Sequence, residues 1–329
     1  RENRPTQGPR PKAGARPLTA AIIGVGSMGR HHLRVYEERD DCDLIAFADT
    51  NAKTLSAYKK KYRAEAFIDY HDLFALKPDL VSIAVPTRLH KQVALAALRA
   101  GCHVLVEKPI ASTVADAEEM MRAAERAGRI LLVGHIERFN PVVQRLKETI
   151  NSRKIGVPIS ISAARVSPYP IRIQDVGIFL DFAIHDIDVI SYLYGERAQT
   201  VYAIAGATNG VSHDHADIMM KFSENRAGII EISWRAPMKF RKILVVGTEG
   251  FALGDFIEQS LFYLDEGWSR EQAVETGEPL ALEIEHFIRC ARGLESPLVT
   301  PEQSIYSLRV ALLAEESAHS GKVLPIGKK

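Results

Sequence analysis

The chain has 329 residues, 46% hydrophobic and 25% charged, a composition that fits two ordinary folded domains and excludes a disordered or collagen-like protein. No apolar run reaches the ~18 residues that a bilayer-spanning helix needs. The net charge is +1, but residues 1–16 hold five basic residues against the single acid Glu2, so the remainder is slightly acidic and argues against nucleic acid as a main partner.

Residues 1–17 are rich in Arg, Pro and Gly and lack the apolar core of a secretory signal, and they read as a flexible tail. Cys42, Cys102 and Cys290 are widely spaced, odd in number and in no metal-ligand pattern. A reducing, cytoplasmic setting is expected, with no disulfides and no metal.

Next come short β-rich runs alternating with helical stretches. Thr19–Gly24, Leu44–Asp49, Leu80–Val85, His103–Val106 and Ile130–Val133 read as strands, several of them near-continuously apolar. Met28–Glu37, Asn51–Lys61, Leu89–Ala100 and Val114–Ala127 read as the helices between them, and Asn140-Pro141 opens another to about Ile150. This is a doubly wound parallel sheet built from βαβ units. After Asn151 the pattern changes to consecutive strands at Pro158–Val166, Thr200–Ala207, Ala216–Phe222, Ala227–Trp234 and Arg241–Val246. A helix over Phe179–Leu193 ends at Gly195, and helices over Pro279–Gly293 and Pro301–Ser320 close the chain. The expected architecture is α/β: a Rossmann domain over 18–140, then an α+β domain over 141–329 with an open, mainly antiparallel sheet. The final helices are free to pack back on the first domain.

The first strand runs into Gly24-Val25-Gly26-Ser27-Met28-Gly29, a G-x-G-x-x-G at a strand–helix junction. Gly24 permits the tight turn, Gly26 lets the backbone approach a pyrophosphate, and Gly29 lets helix and strand pack closely. The helix that follows points unpaired N–H groups at the phosphates. Asp49 ends the second strand, where a carboxylate accepts both hydroxyls of an adenosine ribose and repels a 2′-phosphate. Thr50 and Asn51 follow it with no adjacent Arg, so NAD is favoured over NADP.

A bound nicotinamide implies hydride transfer, and the protein must then handle a proton and position a substrate. Two segments offer this. Glu107-Lys108-Pro109 closes a strand at the carboxyl edge of the sheet, where ligands of open α/β folds bind. Lys108 there is either a hydrogen-bond donor to a substrate oxygen or a surface cation before a proline loop. Asp181, His185 and Asp188 lie at i, i+4 and i+7, an acid–imidazole–acid stripe with Asp186 turned away and Leu180, Ile184, Ile187 and Ile190 on the apolar side. That stripe is either an oriented general base or a solvent-facing helix with an ordinary Asp/His pair.

Together these pieces resemble the Gfo/Idh/MocA family of nicotinamide-dependent sugar and polyol oxidoreductases, over essentially all of residues 18–325. The resemblance rests on the glycine turn, Ala84-Val85-Pro86-Thr87 with His90, Glu107-Lys108-Pro109, and Asp181-x-x-x-His185-x-x-Asp188. The Trp234–Arg241 and Val246-Gly247-Thr248-Glu249-Gly250 segments extend it. It implies that His185 takes the hydroxyl proton, Lys108 polarises the oxygen and Asp181 orients the pair. It further implies that Pro86, Thr87 and His90 line the nicotinamide end, that Glu107 and Lys108 also bind the cofactor, that the Lys108–Pro109 bond is cis, and that the open sheet carries the substrate site and a homo-oligomer interface, as a dimer or tetramer. Lys108 and His185, from different halves of the chain, would then meet at one alcohol.

Gly134–Pro141 and Pro170–Gly177 resemble a narrower branch, the UDP-N-acetylglucosamine 3-dehydrogenases, which oxidise the sugar 3-hydroxyl to a ketone. On that likeness Arg138, Asn140, Arg172, Lys239 and Arg241 are candidate substrate contacts, with Tyr169 or Trp234 stacking on a ring. Inositol or free-sugar dehydrogenation and C3 oxidation of a UDP-sugar uronic acid remain within the same class. From another class, the alternative is a non-catalytic NAD-binding sensor or scaffold.

Overall fold

The computed structural model describes residues 16–170, 176–208, 210, 212–265 and 268–327, in two compact units. The first runs to Gly134 and also takes Gly277–Pro301; the second holds His135–Thr276 and the chain from Glu302 onward.

In the first unit the chain forms β1 (Leu18–Ile23), α1 (Gly29–Glu37), β2 (Cys42–Ala48), α2 (Ala52–Lys59), β3 (Glu65–Phe67), α3 (Tyr70–Leu73), β4 (Leu80–Ile83), α4 (His90–Arg99), β5 (His103–Glu107), α5 (Val114–Ala127) and β6 (Leu131–Gly134). The strands pair in parallel in the order β3-β2-β1-β4-β5-β6. β4 and β6 are buried at every residue, as central parallel strands covered on both faces must be. Local chemistry sets α5: Thr113 caps it by accepting from the Asp116 N–H, and Gly128 ends it in the left-handed region. β3 and α3 do not show in the sequence reading, because three- and four-residue elements carry no usable periodicity.

The second unit contains α6 (Pro141–Asn151), β7 (Pro158–Val166), a π-helical turn (Phe179–Ala183) leading into α7 (Ile184–Tyr194), β8 (Thr200–Gly206), β9 (His215–Lys221), β10 (Ala227–Ser233), β11 (Phe240–Gly247), β12 (Gly250–Asp255), β13 (Ser260–Asp265) and β14 (Trp268–Gln272). α8 (Pro279–Ala291) belongs to the first unit, and α9 (Pro301–Ser320) and β15 (Leu324–Pro325) complete the chain. The sheet order is β14-β13-β12-β11-β7-β10-β9-β8-β15, antiparallel throughout except that β10 runs parallel to β7. β12 to β14 extend the sheet beyond the five strands expected.

The helix expected over Phe179–Leu193 is not uniform. Its first turn is π-helical, a local widening often found at functional positions. It ends as expected at Gly195, whose φ of 71° suits glycine. Nor is α7 solvent-facing: Ile184 to Ile190 are all buried, acids included. Among the described residues no helix is long and apolar enough to cross a membrane.

Candidate active site

The glycine turn follows β1 directly. Gly24 has φ 87°, and a Cβ there would lie 2.6 Å from the Ala84 carbonyl oxygen; a Cβ on Gly29 would lie 1.9 Å from that of Gly24. Both positions therefore require glycine for close packing. Gly26 differs, since a Cβ there would meet nothing within 4 Å. The turn is tight on its inner side and open at its tip, where Gly26, Ser27 and Met28 are exposed. No side chain caps α1, and since the Arg30, His31 and His32 N–H groups already donate to the Gly26 and Met28 carbonyls, it is the N–H groups of the glycine turn just before them that suit an anion. Asp49 accepts from the Val25 N–H at 2.9 Å and from the Asn51 N–H at 2.8 Å, which fixes the carboxylate against the turn. Thr50 beside it is exposed. An open tip, an uncapped helix and an anchored carboxylate fit the pyrophosphate and adenosine ribose of NAD.

At the end of β5 the Lys108–Pro109 bond is cis, as the resemblance implies. Buried His90 places its ring nitrogens 2.9 Å from the Pro109 and Val85 carbonyl oxygens, bracing the segment after β4 against the Lys108–Pro109 turn. Pro86 is exposed and Thr87 buried beside it. Glu107 accepts from His32 Nε2 at 3.0 Å. Burial pushes the Glu107 carboxyl up, but the His32 hydrogen bond and the charges of His32, Lys108 and His90 outweigh it and hold the group below the ordinary glutamate range. His32 thus ties the glycine-turn helix to the strand that ends just before Lys108.

Glu283 of α8 escaped the sequence reading. It is fully buried, and neither carboxylate oxygen has a hydrogen-bond partner. Burial, with the like charge of Glu107 added, raises its pKa well above the ordinary value. A signal was available: Leu280, Glu283, Ile284 and Phe287 follow the i, i+3, i+4, i+7 pattern, which puts an acid on an apolar stripe.

In the second unit Asp181 sits in the π-helical turn and His185 in the first turn of α7, both buried. The stripe does not continue to Asp188. That carboxylate receives a two-pronged pair from Arg138, Nε at 2.7 Å and Nη2 at 2.8 Å, and accepts from Ser307 as well. Asp186 is held the same way by Arg165, at 2.8 and 2.9 Å, and Arg165 also donates to Glu137 at 2.8 Å. Burial opposes the charge on Arg165, but Asp186 and Glu137 carry its pKa above the ordinary value. Burial likewise pushes Glu137 and Asp188 up, and their arginine partners bring both below the usual carboxylate range. Arg165 and Glu137 were not singled out from sequence. Arg165 shares the inward face of β7 with Ile161 and Ala163, and an arginine in that alternation was the available clue.

These pairs redirect several candidates. Arg138 is buried and committed to Asp188, so it does not present a phosphate-binding fork to solvent. Asn140 caps α6 through the Val142 N–H and donates to the Phe256 carbonyl, again inward. Trp234 is a core ring, edge-on to Tyr169 at 5.5 Å and to Phe182 at 6.0 Å. Tyr169 and Lys239 are exposed. Arg241 shares Glu137 with Arg165 at 3.3 Å, and burial and the Arg165 charge lower its pKa. Arg172 lies outside the described residues.

One other constellation has the outline of a nucleophile site. Cys290 Sγ is 3.3 Å from His286 Nε2, and His286 Nδ1 is 2.9 Å from Glu295. Yet His286 Nε2 already accepts from the Leu298 N–H at 2.8 Å, and burial pushes the Cys290 thiol up to about 12. The thiol stays protonated, and the trio ties α8 to the loop after it. Among the described residues no group of three or more His, Cys, Asp or Glu could hold a metal.

Residues 18–135 match the family described as "Oxidoreductase family, NAD-binding Rossmann fold", and residues 143–253 match the "GFO/IDH/MocA C-terminal domain". The chain is 28% identical to UDP-N-acetylglucosamine 3-dehydrogenase of Acidithiobacillus ferrooxidans, over 82% of this chain and 88% of that one. It is 29% identical to myo-inositol 2-dehydrogenase of Thermotoga maritima, over 91% and 96%. A solved structure of the Acidithiobacillus enzyme superposes with a TM-score of 0.86 at 26% identity, covering 93% of this chain and 99% of that one.

Two outcomes follow from the buried charges. Asp186→Asn strips Arg165 of its forked partner and should destabilise the protein by about 3–5 kcal/mol in denaturant titration. Glu283→Gln behaves differently. The folded protein keeps the Glu283 proton at pH values where the unfolded chain has lost it, so wild-type stability is undercut as pH rises above the ordinary glutamate range. The glutamine variant lacks that loss, and its melting temperature relative to wild type should climb steadily from acid to neutral pH.

Proposed function

Given that the chain belongs to the Gfo/Idh/MocA oxidoreductase family, with an NAD-binding Rossmann domain, we propose that it oxidises a secondary hydroxyl of a sugar to a ketone. The favoured substrate is the 3-hydroxyl of UDP-N-acetylglucosamine, on the strength of the likeness to the Acidithiobacillus enzyme across both units. The observation that carries the reading is Lys108, set at the carboxyl edge of a sheet whose glycine turn fits NAD.

The glycine turn and the α1 N-terminus hold the pyrophosphate, and Asp49 holds the adenosine ribose. Bound NAD supplies the hydride acceptor. Lys108 donates to the substrate oxygen and stabilises alkoxide character as the C–H bond breaks. His185 takes the hydroxyl proton, and Asp181 orients its imidazole. Arg138 and Asn140 are spent internally, so the groups left for a nucleotide portion are Tyr169, Lys239 and Arg241, with Arg172 close to Tyr169 in sequence. A second reading is supported by the Thermotoga relative, matched over more of this chain: myo-inositol or a free polyol as substrate. Incubation with NAD and each of the two compounds, followed by absorbance of the reduced cofactor, separates them. NAD binding with no reduction by any sugar would leave a non-catalytic sensor.

The reading includes a homo-oligomer assembled through the open sheet. Met219 and Ile229 are register neighbours on β9 and β10, exposed with Ile204 of β8, and a row of this kind is poorly suited to water. Met219→Glu should lower the mass found by sedimentation, and an unchanged mass would place the interface elsewhere.

Lys108→Ala should reduce kcat by about 10²–10³-fold with the NAD dissociation constant nearly unchanged. His185→Asn should cost about 10²–10⁴-fold. Parallel loss of cofactor affinity would contradict either role. Asp49→Ala should weaken NAD and narrow its advantage over NADP in direct binding measurements.

A further inference from the structure

Within reach of Glu107, the residue before Lys108, lies a carboxyl group that the proposed reaction does not use. It belongs to Glu283 of α8, which packs on α1. Its surroundings offer no counter-charge. From β5 it faces Glu107, whose carboxylate is already engaged by His32 of α1. Tyr36, also from α1, is buried and joins its hydroxyl to that of Ser82 at 3.0 Å. Of the arginines on and near α1 and α8, Arg34 is held by Glu38 and Glu278 and Arg39 by Asp41 and Glu285, Arg30 is exposed, and Arg292 donates to the Arg16 and Asp41 carbonyls. An ionised carboxylate with no hydrogen bond, no exposure and a second carboxylate nearby is not sustainable, so Glu283 carries a proton in the cofactor-free protein.

Its location gives that proton a use. Glu107 closes β5 at the carboxyl edge of the sheet, and His32 stands in the first turn after the glycine turn. The Glu107–His32 pair therefore links the two elements that border the cofactor cradle, and the Glu107 carboxylate acts on Glu283, which α8 brings in against α1. NAD in its oxidised form bears a positive nicotinamide ring, and in its reduced form that ring is neutral. A cation brought to this edge favours ionisation of nearby acids, and the neutral ring does not.

We propose that Glu283 stores a proton behind the cofactor site and releases it when oxidised NAD binds, so that the protein takes oxidised cofactor more tightly as pH rises and reduced cofactor without that dependence. The released proton goes to the buffer, and no bond other than the O–H of Glu283 is broken. The proposal rests on the NAD-binding reading of the glycine turn, not on the identity of the sugar.

Calorimetric titration of the full chain with NAD and, separately, with NADH tests it, each in two buffers of different ionisation enthalpy. The expected result is release of up to one proton with NAD and none with NADH. Affinity for NAD should rise by up to about tenfold per pH unit, the limit for one linked proton. Glu283→Gln, which fixes the neutral form, should abolish the release and hold NAD affinity at the low-pH value of wild type. Glu283→Met should behave alike, and the wild-type proton count stands without either variant. Equal release with both cofactor forms, or release that persists in the variants, would overturn the proposal while leaving the cofactor site intact. Failure of either nucleotide to bind at any pH would instead overturn the cofactor reading itself.

Discussion

A guanidinium removed from water persists only where carboxylates surround it, and the second unit is organised around one such group. Arg165, on the inward face of β7, is gripped by Asp186 from α7 and by Glu137 from the segment after β6. Three separate parts of the chain are thereby fixed to one planar ion. Two residues along, Asp188 is gripped in turn by Arg138. These forked pairs set the rotation of α7, and with it the direction of Asp181 and His185 in the turn before. Such pairs contribute little net stability over apolar packing, but their geometry is demanding, which restricts how α7 can sit against β7.

The first unit treats buried charge in the opposite way. Glu107 is given a histidine partner and a nearby lysine and stays ionised, whereas Glu283 is given nothing and stays neutral. Identical side chains in one wall thus hold different charge states because their surroundings differ, which is how a protein separates acid from base at a single pH. In both units the chemistry that matters lies behind the candidate reacting groups rather than at their tips.

Proximity alone misleads here. Cys290, His286 and Glu295 reproduce the spacing of a nucleophile, a base and an orienting acid, yet the Leu298 N–H occupies the imidazole nitrogen that would have to accept the thiol proton. Arg138 and Asn140 mislead in the other direction. Their residue types suggest phosphate and sugar contacts, but both spend their hydrogen bonds inside the protein.

The amino-acid sequence by itself determined the parallel sheet, because near-continuous apolar runs alternating with helical periods admit little else. It determined the glycine turn, which backbone sterics fix locally, and the placing of Asp49 just past the second strand. It determined the boundaries of α5 and β7, where a threonine cap, a terminal glycine and strict alternation act locally. Only the tertiary structure decided the state of the acids. Asp188 looked like the continuation of a catalytic stripe until Arg138, 50 residues away, was seen to hold it. The state of Glu283 was decided only when the fold packed α8 on α1 and set it against Glu107 of β5. The charge on a carboxyl group is set by whatever surrounds it in space, and spacing along the chain carries no record of partners that arrive from elsewhere.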